Sequence, residues 1–425
     1  MTNKHSEQHA NRVLIIGAGA AGMMAGIQAG RRGKEVLVAE RMERPGRKLL
    51  ITGKGRCNVT NCCTVEEFMP NVLTNPRFLY SCLNQLNPFE VMGFFEDCGV
   101  PLKVERGERV FPVSDRSMDI VDALQEELKR SGCKLRHNCR IQKLQIEQTE
   151  NGPRVCGALT EEGENLPADA VIIATGGKSY PATGSTGDGY TLARQAGHRV
   201  TALRPSLIPL VCKEKYCRDM MGLSLKNVTL TVTDTRSGKV IFSELGEMLF
   251  THFGVSGPLV LSASCHMQPD KGGSLSHYLM HIDWKPGLSE QQLDARILRD
   301  FEQFINKDFI NSLSQLLPHK AIQPIAQLSG IPFDTKINQI TRAQRQKLCA
   351  IIKAMPVTPL AFRPIEEAII TSGGVDVSQV NPKTMESKLV GGLYFAGEVL
   401  DVDAYTGGFN LQIAFSTGYA AGQAV

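Results

Sequence analysis

A chain of 425 residues is too long for one simple core and implies two or three domains. Its hydrophobic share of 42% and charged share of 21% are those of an ordinary globular protein, which excludes a disordered or fibrous chain. A net charge of +4, from 47 basic and 43 acidic side chains, is too mild to argue on its own for nucleic acid or an anionic membrane surface.

Residues 1–11 are polar, and disorder is expected there. An apolar run follows, Arg12-Val13-Leu14-Ile15-Ile16, and leads into Gly17-Ala18-Gly19-Ala20-Ala21-Gly22. The run reads as a strand, and the small residues after it as the start of a helix. Val36-Leu37-Val38-Ala39 reads as a second strand, ending on Glu40. Each part of this register has a task. Gly17 permits a tight turn, Gly19 lets backbone approach a pyrophosphate, and Gly22 lets helix and strand pack closely. The helix start offers free N–H groups to phosphate. Glu40 can accept hydrogen bonds from ribose hydroxyls, which favours an adenosine with a free 2′-OH. A dinucleotide site is the expectation. Val13 to Gly30 is also 18 residues without a charge, long enough to suggest a membrane span. Its five glycines and β-branched leading strand argue against one.

Shortly after Glu40, Gly46 to Asn61 is a glycine-spaced loop carrying Arg47, Lys48, Lys54 and Arg56. These cations could neutralise a pyrophosphate or an anionic flavin, or they could form a solvated turn. Ala170-Val171-Ile172-Ile173-Ala174-Thr175-Gly176-Gly177 is another buried strand running into a glycine turn. The loop from Gly176 to Gly189 is rich in glycine and hydroxyls, which lets backbone approach a planar ligand; a long surface turn is the competing reading. Gly392 to Glu398 repeats the strand-and-glycine logic, so strands from the two ends of the chain are expected in one wound parallel sheet. Glu398, just past a strand's end, would hydrogen-bond polyol hydroxyls such as those of a ribityl chain. Gly407-Gly408-Phe409-Asn410-Leu411 begins a small-residue helix. Its N–H donors are expected against the pyrimidine edge of a flavin, where they would favour the reduced form. An ordinary helix cap is the alternative.

The middle of the chain must then be an insertion. The expected division is 1–204 and 363–425 for the sheet domain and 205–362 for the insertion, marked off by Arg204-Pro205 and Arg363-Pro364. Residues 205–285 alternate in β fashion. Residues 286–357 carry helical periodicity at Leu293, Ile297, Phe301, Phe304 and Ile305, punctuated by Pro318, Pro324, Pro332 and Pro356. Phe250 to Pro258 reads as strand, turn and helix, with Ser256 near the cap and Pro258 in the first turn. His252 in that turn is a candidate proton donor, although a structural histidine is the simpler reading. The insertion is expected to cover the flavin and shape a substrate pocket.

Five segments together resemble a bacterial family of two-domain FAD flavoproteins that includes a reductase of dehydro-bile acids and an aminoacetone oxidase. They are Gly17 to Gly22 with Glu40, Gly46 to Asn61, Gly176 to Gly189, Phe250 to Pro258, and Gly397 to Gln412. The resemblance implies an α/β fold, a Rossmann-like FAD-binding domain interrupted by an insert with a β-barrel-like part and a helical part. The cofactor expected is FAD, held by Gly17, Gly19, Ala20, Ala21, Gly22, Glu40, Arg41, Lys48, Arg56, Asn58, Ile141, Thr175, Gly176, Gly177, Gly187, Asp188, Gly397, Glu398, Gly407, Gly408, Phe409, Asn410 and Leu411. The Gly176 to Gly189 loop is also similar to that of fumarate reductases. The histidine and arginine motifs of their dicarboxylate site are missing, so that substrate is not carried over.

The expected activity is FAD-dependent oxidation or reduction of a small or medium organic substrate. No second G-x-G-x-x-G unit is present, so NADH or NADPH would be a transient donor, and substrate or O₂ would reoxidise the flavin. An FAD-dependent RNA-modifying or RNA-binding protein is the alternative, with Arg342, Arg345, Lys347 and Lys353 docking RNA. A solvated helix face is the simpler reading of those four, so nucleic acid is not the expected partner. Twelve cysteines lack C-x-x-C spacing and nine histidines lack metal-ligand spacing. With no secretory signal, reduced thiols, no metal and a cytoplasmic location away from membranes are expected. The oligomeric state is not legible.

Overall fold

In the computed structural model, which describes residues 12–425, Arg12–Ile16 is the middle strand of a five-stranded parallel sheet. The order is Leu393–Phe395, Ala170–Ile173, Arg12–Ile16, Glu35–Ala39 and Lys134–Arg136. Leu14 lies opposite Val171 on one side and Leu37 on the other, and Ile172 lies opposite Tyr394. Parallel sheets are covered on both faces, which is why these strands are continuous apolar runs rather than alternating ones. The expected disorder of residues 1–11 lies outside the described residues.

The helix Ala20–Arg31 packs against the helix Phe409–Ala424. Small residues set their separation. A Cβ on Gly418 would stand 2.3 Å from the carbonyl oxygen of Ala21, and one on Gly422 would stand 2.3 Å from that of Ala25. Backbone therefore meets backbone, which accounts for the alanine and glycine content of both helices. The uncharged stretch Val13 to Gly30 is part strand and part helix, and among the described residues no helix is long and apolar enough to cross a membrane. An antiparallel meander, Ile141–Thr149, Gly152–Thr160 and Asn165–Pro167, precedes the strand Ala170–Ile173.

The chain divides into two units. The first takes the chain up to Ser206 and returns for Ala368–Val425, and the second is Leu207–Glu367. These divisions lie a few residues beyond the proline-marked limits, because Arg204–Ser206 and Ile370–Ser372 pair antiparallel within the first unit.

Buried in the first unit, His198 places Nε2 2.8 Å from Ser387 Oγ and sets its ring edge-on to Phe395. Burial pulls its pKa from the ordinary 6.5 down to about 4, against a weaker opposing pull from the Asp376 carboxylate. A histidine held neutral in the fold stabilises above the unfolded pKa and loses that contribution as pH falls toward the folded one. Wild type should therefore lose up to about 3 kcal/mol between pH 6.5 and 4 through this residue. Urea unfolding across that window checks it: His198→Gln should flatten the dependence, and an unflattened profile would assign it to another group.

The second unit is built on a seven-stranded antiparallel sheet. Its order is Met355–Val357, Tyr278–Asp283, Ser224–Asp234, Lys239–Phe250, Gly254–Ser256, Leu210–Cys212 and Pro359–Phe362. The two edge strands, Met355–Val357 and Pro359–Phe362, are separated in sequence by Thr358 alone. Consecutive Cα atoms are about 3.8 Å apart, so the sheet must curl until its edges nearly meet. This is the barrel-like part. The helical part follows Tyr278–Asp283, with Glu290–Gln303, His319–Ser329 and Arg342–Lys353 the main helices. Leu293, Ile297 and Phe301 are buried as the periodicity requires, but the helix stops at Gln303 and Ile305 is exposed. Pro324 does not end a helix. It lies buried inside His319–Ser329, where its apolar ring joins the core.

Candidate functional site

The carboxyl ends of the parallel strands open onto one cleft of the first unit. Counted out to its open mouth, the empty space of the cleft is about 1190 Å³. Gly17, φ +102°, makes the turn from the first strand, and a Cβ there would stand 2.6 Å from the Ala174 carbonyl oxygen. Gly19, Ala20 and Ala21 line the cleft, and their helix begins with no side-chain cap. Its first N–H groups are therefore available to an anion. Gly22 does not line the cleft. A Cβ on it would fall 1.9 Å from the Gly17 carbonyl oxygen, so it secures the turn itself.

Glu40 is buried at one wall. Its two carboxylate oxygens accept from the backbone N–H groups of Ala18 and Met42, each at 2.8 Å. Beside it, Asp188 accepts from Arg41 at 3.1 Å and from Arg140 at 2.9 and 3.1 Å. Burial would raise the Asp188 carboxyl, but its hydrogen bonds to Arg140 and the charges of Arg140 and Arg41 hold it below the ordinary range. Ile141 lines the same end.

At the other end, Glu398 and Lys48 meet. Lys48 Nζ donates to Glu398 Oε2 at 2.6 Å and to Ser179 Oγ at 2.8 Å. Glu398 Oε1 accepts from the Thr371 N–H at 2.8 Å and from Ser179 Oγ at 3.1 Å. Gly177 does not line the cleft but makes room for this cluster. A Cβ on it would stand 2.6 Å from both Glu398 Oε1 and Thr371 Oγ1. Thr175, Gly176, Gly397, Asn410 and Leu411 also line the cleft.

Several expected ligands stand elsewhere. Arg56 is held by Glu105 and Asp115 over the Phe111 ring, 4.1 Å from its centroid, and does not reach the cleft. Arg47 and Lys48 line the cleft from the short helix Arg47–Ile51, and positive φ at Gly53, Lys54, Gly55 and Cys57 then turns the chain before Arg56, which stands outside it. Asn58 is also outside, with a buried Oδ1 lacking a partner among the described residues. Gly187 stands just before the helix Asp188–Gln195. Gly407, Gly408 and Phe409 do not line the cleft: a Cβ on Gly408 would stand 2.2 Å from the Thr60 carbonyl oxygen, and Phe409 packs edge-on against Phe68. Gly408 and Phe409 pack this helix start against the fold while its next residues, Asn410 and Leu411, line the cleft, so Gly408→Val would disturb the fold at the cleft wall. His252 belongs to the second unit, exposed in a turn with its ring against Phe253. Of the four basic residues weighed for RNA, Arg345 is paired with Asp294 and Lys353 with Asp283.

Sequence reasoning missed Arg44 and Arg140, which line the cleft, and Thr371, which holds Glu398. No spacing distinguishes these from surface arginines or a strand threonine. Thr175 Oγ1 is buried without a partner among the described residues, and Cβ space in front of Gly19 is open. Helix N–H donors, arginines, a ribose-compatible acid and an apolar floor of Ile16, Ala18 and Leu411 fit a dinucleotide with anionic phosphates.

This sheet and cleft define an FAD-dependent oxidoreductase. More narrowly, the family described as HI0933-like protein Rossmann domain matches residues 11–424, and the chain belongs to that family. It is 31% identical to a 3-dehydro-bile acid delta(4,6)-reductase of Clostridium scindens, over 97% of this chain and 98% of that one. It is 32% and 33% identical to ribosomal RNA dihydrouridine synthases of Escherichia coli and Haemophilus influenzae, over 96% of each chain. A 3-ketosteroid delta1-dehydrogenase of Sterolibacterium denitrificans shares the fold, with a TM-score of 0.51 at 13% identity over 97% of this chain and 99% of that one. FAD is the cofactor of this class.

Proposed function

We propose that the protein is a reductase of carbon–carbon double bonds conjugated to a carbonyl. The observation that carries this is the shared chemistry of three relatives matched over nearly their whole length. The 4,6-diene conjugated to a 3-oxo group and the 5,6 bond of uracil both take a hydride equivalent at a carbon made electrophilic by conjugation with a carbonyl, β in uracil and β or the vinylogous δ in the dienone, with a proton added to the conjugated enolate that results. FAD, when bound, supplies the redox chemistry. The chain's residues bind and orient it: the N–H groups of Gly19 to Ala21 with Arg47 take the pyrophosphate, Glu40 the adenosine ribose, and Glu398 the ribityl hydroxyls. Asn410, whose side chain ties Ala404 and Tyr405 together, and Leu411 shape the remaining wall. NADH or NADPH is the electron source, as a transient visitor.

The test is anaerobic. The flavin is bleached with NADH or NADPH, then offered a 3-oxo-Δ4,6 bile acid, free uridine or unmodified ribosomal RNA. Return of the oxidised spectrum with one of these acceptors is expected. Reoxidation by O₂ alone would make the protein an oxidase and end this reading.

Glu40→Ala is expected to weaken FAD binding about ten- to a hundred-fold, since hydrogen bonds to a charged acceptor are worth roughly 1.5–3 kcal/mol. Titration of apo-protein measures it, and unchanged affinity would remove Glu40 from the site.

A further inference from the structure

Arg41, Arg44, Arg47, Lys48 and Arg140 line the cleft of the first unit, and they are not equivalent. Arg41 and Arg140 are committed to Asp188, at the end that holds Glu40. Arg44 and Arg47 form no ion pair among the described residues and suit phosphate. Lys48 stands at the opposite end. It is gripped there by side chains from distant stretches of the chain.

Lys48 Nζ donates to Glu398 Oε2 at 2.6 Å and to Ser179 Oγ at 2.8 Å, and Ser179 Oγ donates to Glu398 Oε1 at 3.1 Å. The three side chains close into a ring. The Thr371 N–H fixes Glu398 Oε1 further at 2.8 Å. Thr371 Oγ1 in turn accepts from the N–H groups of Lys178 and Ser179 at 2.8 and 3.2 Å. Ser179 and Thr371 are fully buried, so neither charge of the pair can swing away from the wall. An ammonium carries three N–H donors, and one remains for a ligand in the cleft. Two fixed, opposite charges on the wall of a cleft act on a ligand without reorganising when its charge changes.

We propose that Lys48 raises the reduction potential of the flavin, and that Glu398, Ser179 and Thr371 hold it in place for that task. The proposal rests on the cofactor orientation given above, in which Glu398 takes the ribityl hydroxyls. That chain joins the ring system at N10, two bonds from N1, whereas the arginines serve phosphate and adenosine. Hydride transfer from NADH breaks the C4–H bond of the dihydronicotinamide, releases NAD⁺ and leaves one added negative charge on the ring system, centred on N1 and the C2 carbonyl oxygen. A fixed ammonium attracts that charge more than it attracts the neutral oxidised ring, so it favours the reduced state. The Glu398 carboxylate on the same wall opposes it. The potential is then set by the balance of two charges, and this separates the role from that of a clasp, whose effect has no sign.

The test is the midpoint potential of the full-length FAD-bound protein, reduced stepwise without oxygen against a dye of known potential. Each variant is measured at saturating FAD, with flavin absorbance per protein confirming occupancy. Lys48→Met should weaken the binding of reduced relative to oxidised FAD about ten- to a hundredfold, the worth of one hydrogen bond to a charged group. At about 30 mV per tenfold for a two-electron couple, the potential falls by about 30–60 mV. Glu398→Gln keeps the shape and an acceptor for the Thr371 N–H but removes the negative charge, so the same ratio should rise about tenfold, or about 30 mV. The double variant Lys48→Met, Glu398→Gln should return to within about threefold of wild type, about 15 mV, and Lys48→Arg should stay within the same margin. Shifts of one sign in both single variants, or no shift in either, would overturn the proposal and leave the cluster a packing clasp. Should Lys48→Met fail to hold FAD, Glu398→Gln decides alone, since a clasp gives no rise. The orientation of the cofactor is judged separately, by the affinity of Glu40→Ala for oxidised FAD: undiminished binding there ends the orientation, whatever the signs of the potentials.

Discussion

Gly418→Val should strip the protein of FAD and lower its stability by about 3 kcal/mol or more, a large part of the 5–15 kcal/mol typical of a folded domain. The added Cβ would stand 2.3 Å from the Ala21 carbonyl oxygen, and backbone cannot rotate away as a side chain can. The helices Ala20–Arg31 and Phe409–Ala424 would have to separate. Separation moves the helix start at Gly19 to Ala21 and the wall at Asn410 and Leu411 together, so both sides of the cleft are disturbed by one methyl-bearing carbon. Even Gly418→Ala should be felt. Gly93→Ala is the control, because a Cβ there meets nothing within 4 Å and the residue lies inside the helix Pro88–Asp97. It should be neutral or slightly stabilising. Denaturant midpoints and flavin absorbance per protein measure both effects. A Gly418→Val protein that kept its midpoint and its flavin would show that the two helices do not meet through backbone.

Glu398→Ala should be nearly as severe for the cofactor. The carboxylate holds Lys48, Ser179 and the Thr371 N–H at once. Its loss leaves a cation on the cleft wall and a buried N–H unpaired. Breaking a buried pair costs about 3–5 kcal/mol, but Lys48 and Glu398 remain 24% and 12% exposed, so about 2–3 kcal/mol is the appropriate expectation. FAD affinity should fall by about a hundredfold or more if Glu398 holds the ribityl hydroxyls as proposed. Lys48→Met added to Glu398→Ala should recover stability without recovering affinity. If Glu398→Ala unfolded earlier yet bound FAD as tightly as wild type, the carboxylate would be a structural clasp alone.

The dinucleotide register could be read in advance because its chemistry is local. Strand, Gly17, Gly19, helix and Glu40 all fall within 40 residues, and each follows from backbone geometry. The neighbouring of Ala170–Ile173 with Leu393–Phe395 was legible too, since two continuous apolar strands ending in glycine call for the same buried sheet. The loop from Gly46 to Asn61 was not. Four left-handed residues from Gly53 to Cys57 separate Arg47 and Lys48, which reach the cleft, from Arg56, which does not, and four basic residues in one glycine-spaced loop look alike in sequence. Thr371 was beyond reach because its partner Glu398 is 27 residues away and nothing in a short strand marks one threonine from the next. The glycines at 407 and 408 carry a second constraint that the sequence does not show. A glycine-rich helix start signals close approach, and one such approach is to the Thr60 backbone.

The first unit's division into two separated segments has a consequence for how the molecule is made. During synthesis the N-terminal strands emerge first, yet the sheet they form lacks its edge strand Leu393–Phe395 and the helix that Ala21 and Ala25 pack against. Leu207–Glu367, in contrast, is a continuous stretch whose barrel edges are joined by Thr358, so all its pairing partners have left the ribosome before Ala368 does. The inserted unit can therefore finish folding while its host is still waiting for the chain to return. Glu398, Asn410 and Leu411 emerge after the whole insert, so a translation product truncated before Gly397 would carry a folded insert and a cleft lacking one of its walls.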